Sequence, residues 1–339
     1  MESVVVGMSG GVDSTAAVVL LREAGYAVHG LTLWLYGSDK GAREAAETAA
    51  MLSVPHTVLD LRAEFADKVT TPFLEAYRRG LTPNPCVRCN TEIKFAALLQ
   101  FADREGIEKI ATGHYAGIKE VDGKYLFSTG ADSKKDQTYF LSRVSPLAIP
   151  RLVLPLGAYT KDEVRSVARR AGLSAAEKAD SQEICFIPDN DYIAYLEKAD
   201  PSIGKEGKIV DGNGYMVGLH GGIHRYTIGQ RKGLGAFGKK MFVTAIDAKQ
   251  NTVTVGEGES LYSAGLFADG LNAFDDTEGE VMVKIRSAAP AVPGVCCREE
   301  EGVYITFREP QRAVTPGQTV AIYKADCLVG GATIRRSIQ

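Results

Sequence analysis

Ser9-Gly10-Gly11-Val12-Asp13-Ser14 puts two hydroxyls, two glycines and a carboxylate into six consecutive residues. The glycines let backbone amides approach an anion with no Cβ in the way. A helix predicted to follow would aim its positive end at the same spot. Ser9 and Ser14 can donate to phosphate oxygens, and Asp13 can hold a magnesium ion. The stretch lacks the Gly-Lys-Ser/Thr ending of a Walker loop and the G-x-G-x-x-G spacing of a dinucleotide fold. Its chemistry is a grip on nucleotide phosphates.

The second reactive set is sulfur. The chain has six cysteines, Cys86, Cys89, Cys185, Cys296, Cys297 and Cys327. In a large cytosolic chain they are poor material for a disulfide framework. Cys296, Cys297 and Cys327 lie in strand-like sequence and read as small buried hydrophobes. Cys89 and Cys185 are about a hundred residues apart, each in a predicted loop beside a strand end. In an open α/β sheet they could converge over the phosphate loop. A cysteine persulfide is a soft nucleophile, and a second thiol can cleave it to release sulfur. Cys86-x-x-Cys89 with Cys185 also offers three thiolates, one short of a Cys₄ zinc or iron–sulfur site. A three-cysteine [4Fe-4S] cluster would leave one iron open for sulfide. Both routes to sulfur chemistry stand at this point.

The elements that must position these groups alternate. Residues 4–6 form an apolar strand, 16–24 have helical spacing, 27–35 are strand, 43–52 helix and 54–59 strand. Phe65, Val69, Phe73 and Tyr77 mark one buried helix face ending at Gly80. A helix over 92–104 and a strand over 109–112 follow. Thr160-Lys161-Asp162-Glu163 is a capping box opening a helix that closes at Gly172. Alternating strands and helices imply a parallel sheet covered on both faces. Beyond residue 200 the texture changes. Between Gly221 and Met241 lie Arg225, Arg231, Lys232, Lys239 and Lys240, with no Asp or Glu. From Met241 onward period-two patterns dominate, at 241–247, 252–255, 281–285, 303–307 and 319–323, which predicts a small antiparallel barrel. The expected division is an α/β catalytic domain over 1–200, a basic, glycine-rich middle domain over 201–248 and a β-barrel over 249–339.

Composition sets the outer limits. The 339 residues are 45% hydrophobic and 24% charged, with a net charge of −3. That excludes coating nucleic acid by bulk charge, but not a local basic surface. The apolar runs are too short to span a bilayer. Met1-Glu2-Ser3 leads straight into a strand with no signal-peptide pattern, so a cytoplasmic location is expected.

The leading loop resembles the pyrophosphatase loop of the ATP-pyrophosphatases, which activate an oxygen as its adenylate and release pyrophosphate. Further stretches narrow the resemblance: Asn84-Pro85-Cys86-Val87-Arg88-Cys89-Asn90, Ala111-Thr112-Gly113-His114-Tyr115, Lys135-Asp136-Gln137-Thr138-Tyr139-Phe140-Leu141, Asp180-Ser181-Gln182-Glu183-Ile184-Cys185-Phe186-Ile187 and Thr227-Ile228-Gly229-Gln230-Arg231-Lys232-Gly233-Leu234-Gly235. Together, and in this order from Val4 to about Gly330, they resemble the bacterial tRNA-specific 2-thiouridylase (MnmA) family.

That resemblance implies a parallel-sheet ATPase domain, a small central domain and a C-terminal barrel. It implies ATP and Mg²⁺ as cofactors, with tRNA of the Lys, Glu and Gln type and a persulfide sulfur donor or relay protein as partners. No membrane partner and a monomer when free are also expected. The implied activity is adenylation at C2 of uridine 34, then sulfur transfer to give 2-thiouridine. By the same resemblance Gly7, Met8, Ser9, Gly10, Gly11, Val12, Asp13 and Ser14 hold ATP, with adenine contacts at Leu33 and Gly113. Cys89 is the nucleophile and can pair transiently with Cys185, which carries the persulfide. Asn84, Pro85 and Cys86 meet the target base, and His114, Lys135, Asp136, Gln137, Arg286, Ser287 and Gln318 contact tRNA. Two positions depart from the pattern. Ser287 replaces an aromatic residue, which removes any stacking there. Cys86 stands where relatives commonly carry Asp, so its thiol would serve as acid or base, as resolving thiol, or as a cluster ligand.

Overall fold

A computed structural model describes residues 1–173, 184–235 and 237–339. Residues 180–183 of the motif around Cys185, and Ala236 of the basic stretch, lie outside the described residues. Five strands form the first sheet: β1 (Ser3–Gly7), β2 (Ala27–Trp34), β3 (His56–Asp60), β4 (Lys109–Ala111) and, after an intervening hairpin of β5 (Ala116–Val121) and β6 (Lys124–Thr129), β7 (Leu152–Val153). Their order is β3-β2-β1-β4-β7, all parallel.

The central strand shows why. Val4, Val5 and Val6 are completely buried, and successive side chains point to opposite faces. Val5 joins Leu31, Leu98 and Phe101 in one core. Val4 and Val6 join Ala16, Ala17 and Leu21 of the helix Val12–Glu23, and Val164 and Val167 of the helix Lys161–Arg170, in another. Each fully buried side chain of this size stabilises the fold by about 1.5–3 kcal/mol.

Two long helical stretches flank the site. Arg62–Phe65, Ala66–Thr70 and Thr71–Arg78 run on as one, with a π turn in the middle. Pro85–Cys89 continues through a second π turn, Asn90–Lys94, into Phe95–Arg104. The cysteine motif expected in a loop is therefore helical, and its helix starts seven residues before the predicted start. The cause is local. Asn84 Oδ1 accepts from the amides of Cys86 at 3.2 Å and Val87 at 3.3 Å, and Pro85 takes the first helical position, where no N–H is needed.

The middle sheet contains β8 (Gly207–Val210), β9 (Met216–His220), β10 (Phe242–Asp247) and β11 (Thr252–Gly256), in the order β10-β11-β8-β9. The alternation at 252–255, expected in the barrel, pairs instead with β8, in parallel. Period-two patterning marks a half-buried strand without saying which sheet receives it.

The barrel strands are β12 (Tyr262–Ala273), β13 (Gly279–Lys284), β14 (Val292–Glu299), β15 (Gly302–Arg312), β16 (Thr319–Lys324) and β17 (Cys327–Ile338). They run antiparallel, and β12 pairs with both β15 and β17, which closes a six-stranded ring. Cys296 is buried in its core and Cys327 against the first domain's core, whereas Cys297 points outward and is exposed, since neighbours on a strand face opposite ways. The β5–β6 hairpin, which the sequence pattern does not announce, turns at Asp122 and Gly123 with φ of 49° and 75°, as a two-residue turn requires. Its β6 pairs with β17, so the first domain adds two strands to the barrel wall. Among the described residues no helix is long and apolar enough to cross a membrane.

Candidate active site

The phosphate loop leaves the carboxyl end of β1, and Gly113 leaves that of its neighbour β4, where the strand order reverses and open sheets bind ligands. The two are in contact. A Cβ on Gly113 would fall 2.8 Å from the Asp13 carbonyl carbon and 2.9 Å from the Ser14 amide nitrogen. Ser14 Oγ accepts from the Ser9 amide at 3.1 Å, lies 3.2 Å from Ser9 Oγ and donates to the Gly11 carbonyl at 3.1 Å, so the loop is braced from inside. Gly11, at the helix N-cap, supplies no side-chain oxygen. The first-turn amides thus lack the side-chain cap that Thr160 gives the helix Lys161–Arg170. This is an amide cradle suited to nucleotide phosphates. Met8 is buried beneath it, its amide on the Leu31 carbonyl at 2.8 Å, and Leu33 is half-buried near the end of β2.

Asp13 has partners that its sequence motif does not name. Lys161 Nζ donates to its two carboxylate oxygens at 2.7 and 2.9 Å, and the Tyr115 hydroxyl donates to Oδ1 at 2.8 Å. Lys161 is nearly buried, and its own amide donates to Asp132 at 3.1 Å. These donors make Asp13 the anion of an ion pair. Gln137 brackets Tyr115 from behind, accepting from its amide at 2.9 Å while donating its own amide to the Tyr115 carbonyl at 2.9 Å. Asp136 accepts from Thr138 Oγ1 at 2.7 Å, and half-buried Lys135 donates its amide to the Asp132 carbonyl at 3.0 Å. The Lys135–Asp136–Gln137 run therefore connects to Asp13 through Tyr115.

The thiols form the second part. A spacing of three puts Cys86 and Cys89 on one helix face. Cys86 is half-buried, Cys89 buried and Cys185 exposed. Burial raises both helical thiols above their ordinary pKa, Cys89 to about 11, while Lys94 pulls both down and Cys185 pushes both up. The Tyr36 hydroxyl hydrogen-bonds Cys185, and burial first, then the Cys185 thiol, raise its pKa. Next to Cys185, Phe186 is clamped between Phe65 and Phe73, each at 5.5 Å between ring centres. Cys89 belongs to the same apolar cluster, so packing holds the Cys185 turn at the rim above it. Among the described residues no group of three or more His, Cys, Asp or Glu side chains is placed to hold a metal ion. The three cysteines therefore do not fit a [4Fe-4S] cluster as they stand.

His114 links the two parts. It directly follows Gly113, its Nδ1 lies 2.8 Å from Thr112 Oγ1, and its ring stacks on Phe95 at 5.9 Å. Burial lowers its pKa to about 3, and Lys94 adds to the effect, so it is neutral at ordinary pH. Lys94, Tyr115, Lys161 and Tyr36 are the residues of this site that the motifs leave without a role. Lys161 is visible in the sequence only as part of a capping box.

The remaining residues expected at tRNA lie toward the barrel. Arg286 Nη2 donates to the Ile228 carbonyl at 2.9 Å, the Ala313 carbonyl at 3.2 Å and Thr315 Oγ1, tying the middle sheet's approach to the barrel. Ser287 beside it is half-buried. Gln318 Nε2 donates to the Thr82 carbonyl at 2.8 Å, and the Thr82 amide donates to the Pro316 carbonyl at 3.0 Å. The barrel turn thus grips the chain two residues before Asn84.

The family described as the tRNA methyl transferase HUP domain matches residues 2–189, the tRNA methyl transferase PRC-barrel domain 195–257 and the aminomethyltransferase beta-barrel domain 267–334. The protein named tRNA-specific 2-thiouridylase MnmA in Heliobacterium modesticaldum is 44% identical over 360 residues, covering 100% of this chain and 94% of its own. Its namesake in Carboxydothermus hydrogenoformans is 44% identical, covering 99% and 98%. That in Clostridium acetobutylicum is 43% identical, covering 98% and 99%.

Proposed function

The chain belongs to the MnmA family of tRNA-specific 2-thiouridylases, and on that premise we propose how its residues divide the work. It is a tRNA sulfurtransferase of the ATP-pyrophosphatase class, using ATP to thiolate a tRNA uridine. The finer assignments are our reading. The target is C2 of uridine 34, and its oxygen attacks the α-phosphorus of ATP. Pyrophosphate leaves into the cradle of Ser9 to Ser14, where the helix N-terminus and Lys161 offset its charge. Magnesium enters with the nucleotide, and Asp13 acts by holding Lys161 in place.

Cys185 receives a persulfide from a donor protein. Its terminal sulfur attacks C2, and the C2–O bond breaks to release AMP. Cys89, as thiolate, attacks the Cys185 sulfur, and the S–S electron pair goes to the sulfur on C2, completing the thiocarbonyl. A Cys89–Cys185 disulfide remains for an external thiol to reduce. Lys94 favours the thiolate of Cys89, and Cys86 shuttles the proton. The observation that supports this reading is that Gly113 seats against Asp13 and Ser14 while the next residue, His114, stacks on Phe95 of the helical stretch that carries Cys86 and Cys89. RNA is held by the middle sheet, which we extend from 201 to 256, by the basic stretch 221–241 and by the barrel. A tRNA substrate makes the cytoplasm the compartment.

The test is mass spectrometry of nucleosides after unmodified tRNA is incubated with protein, ATP and a persulfide source. The expected product is 2-thiouridine at position 34. ATP consumption without a thionucleoside would overturn the reading.

A further inference from the structure

A cavity of about 410 Å³ opens between the two helical stretches that flank the site and the barrel, within the size range of small-molecule sites. It lies behind the thiols. Asn84, Val87 and Thr91 line it, as do Pro85, Arg88 and Glu92, which are two of the three faces of the cysteine helix. The third face, carrying Cys86 and Cys89, is not among its walls.

Its charge is lopsided. Arg79, Arg88, Arg143 and Arg335 face two carboxylates, Glu92 and Asp269. Asp269 is already engaged, with Arg335 Nε at 2.6 Å. Arg143 is half-buried in the wall, with Nη1 on Thr333 Oγ1 at 2.6 Å. Burial lowers its pKa, Asp269 and Glu92 raise it, and Arg88 and Arg335 lower it again. Gly270 passes so close that a Cβ there would sit 3.4 Å from Arg143 Nη2. Like charges held together in a partly dry cleft are unfavourable unless an anion joins them, and planar guanidinium groups match phosphate oxygens. Apolar side chains, Val69, Phe73 and Val87, also line it and suit a sugar or base edge.

We propose that this cavity seats a phosphorylated ribose unit, with Arg143 and Arg88 on its phosphate. The RNA strand is its source, an assignment that rests on the tRNA-thiolating reading above. Seated there, the strand would bear on the back of the cysteine helix while the target base meets its front.

The experiment uses the full chain, Arg143→Gln and Arg88→Gln, the latter at an exposed position so that at least one variant retains its fold. Affinity for unmodified tRNA is measured across a salt series, with ATP binding as the control. Each variant should bind tRNA several-fold more weakly, with ATP binding unchanged. Each should also lower the salt slope by about 0.7–0.9, the share of one phosphate no longer neutralised. Titration of the tRNA-free chain with ribose 5-phosphate separates the sources. Saturable binding that Arg143→Gln abolishes, with the tRNA slope unmoved, would support the cavity chemistry and overturn the RNA strand as its source. Unchanged tRNA slopes and no ribose 5-phosphate binding would overturn the site altogether. Slopes that fall in the variants, while the wild type makes no 2-thiouridine, would sink the proposed reaction and leave the cavity standing.

Discussion

Lys161 Nζ lies 2.7 and 2.9 Å from the two carboxylate oxygens of Asp13, across 148 residues of sequence. The pair places a cation at the mouth of the phosphate loop and fixes the first turn of the helix behind it. Lys161→Met should therefore lower ATP–pyrophosphate exchange by roughly 100-fold or more, the scale for losing a preorganised charge at a leaving group. Asp13→Ala should match it, and the double variant should be little worse than either, since both act as a unit. Additive losses would separate the two roles.

Gly113 tests how tightly the two strand ends meet. Gly113→Ala puts a methyl 2.8 Å from the Asp13 carbonyl carbon. Backbone cannot yield there as a flexible side chain would. The expected cost is about 1–3 kcal/mol in thermal denaturation, with weaker ATP binding measured by calorimetry. A variant of wild-type stability and affinity would mean that the strand ends meet loosely.

What is legible in the sequence is what lies close together along it. The phosphate loop and the Cys86-x-x-Cys89 motif are runs of adjacent residues, and the apolar run Val4 to Val6 marks a buried central strand by itself. Lys161 is hidden because nothing near it in sequence announces Asp13. The β5–β6 hairpin is hidden because its outer partner, β17, begins only at Cys327. The helical start at Pro85 is legible in principle from Asn84-Pro85, an N-cap signature that the cysteines beside it overshadow.

His114 makes stability depend on pH. Its pKa is about 3 in the fold and 6.5 when exposed. Between those values the unfolded chain binds a proton that the folded chain refuses. Its contribution is complete above pH 6.5 and is lost as pH falls toward 3, by at most about 1.4 kcal/mol per pH unit. His114→Asn should flatten the acid side of the stability curve, read as urea midpoints at about pH 7 and pH 5. An equally steep fall in the variant would assign the acid sensitivity to His29, His56 and His220, whose pKa values burial also lowers.

Cys185→Ser should still consume ATP in the presence of tRNA and make no 2-thiouridine, because adenylation precedes sulfur transfer and needs no thiol. Nucleoside mass spectrometry after prolonged incubation checks it. Thiolation above a few per cent of wild type would show that sulfur arrives without a Cys185 persulfide.

The family resemblance implies an Asp where Cys86 stands. Burial raises the Cys86 thiol, and it raises Cys89 to about 11, so both are mostly protonated at neutral pH. If Cys86 accepts the Cys89 proton, loss of one proton from the pair readies it, and the wild-type thiolation rate climbs with pH as that single proton leaves. Cys86→Asp supplies an acceptor already ionised at neutral pH, given an ordinary carboxyl pKa of about 3.9. The variant should keep thiolating, and its climb should flatten near neutral pH, leaving only the limb from direct ionisation of Cys89. The new carboxylate would also push Cys89 upward, so the remaining limb should move to higher pH rather than lower. Rates are measured from about pH 6.5 to 9.5, a window spanning ordinary thiol ionisation, alongside iron and sulfide analysis of anaerobically purified protein. A dead Cys86→Asp variant, together with iron that the wild type holds and the variant loses, would overturn the proton-shuttle role and restore the cluster.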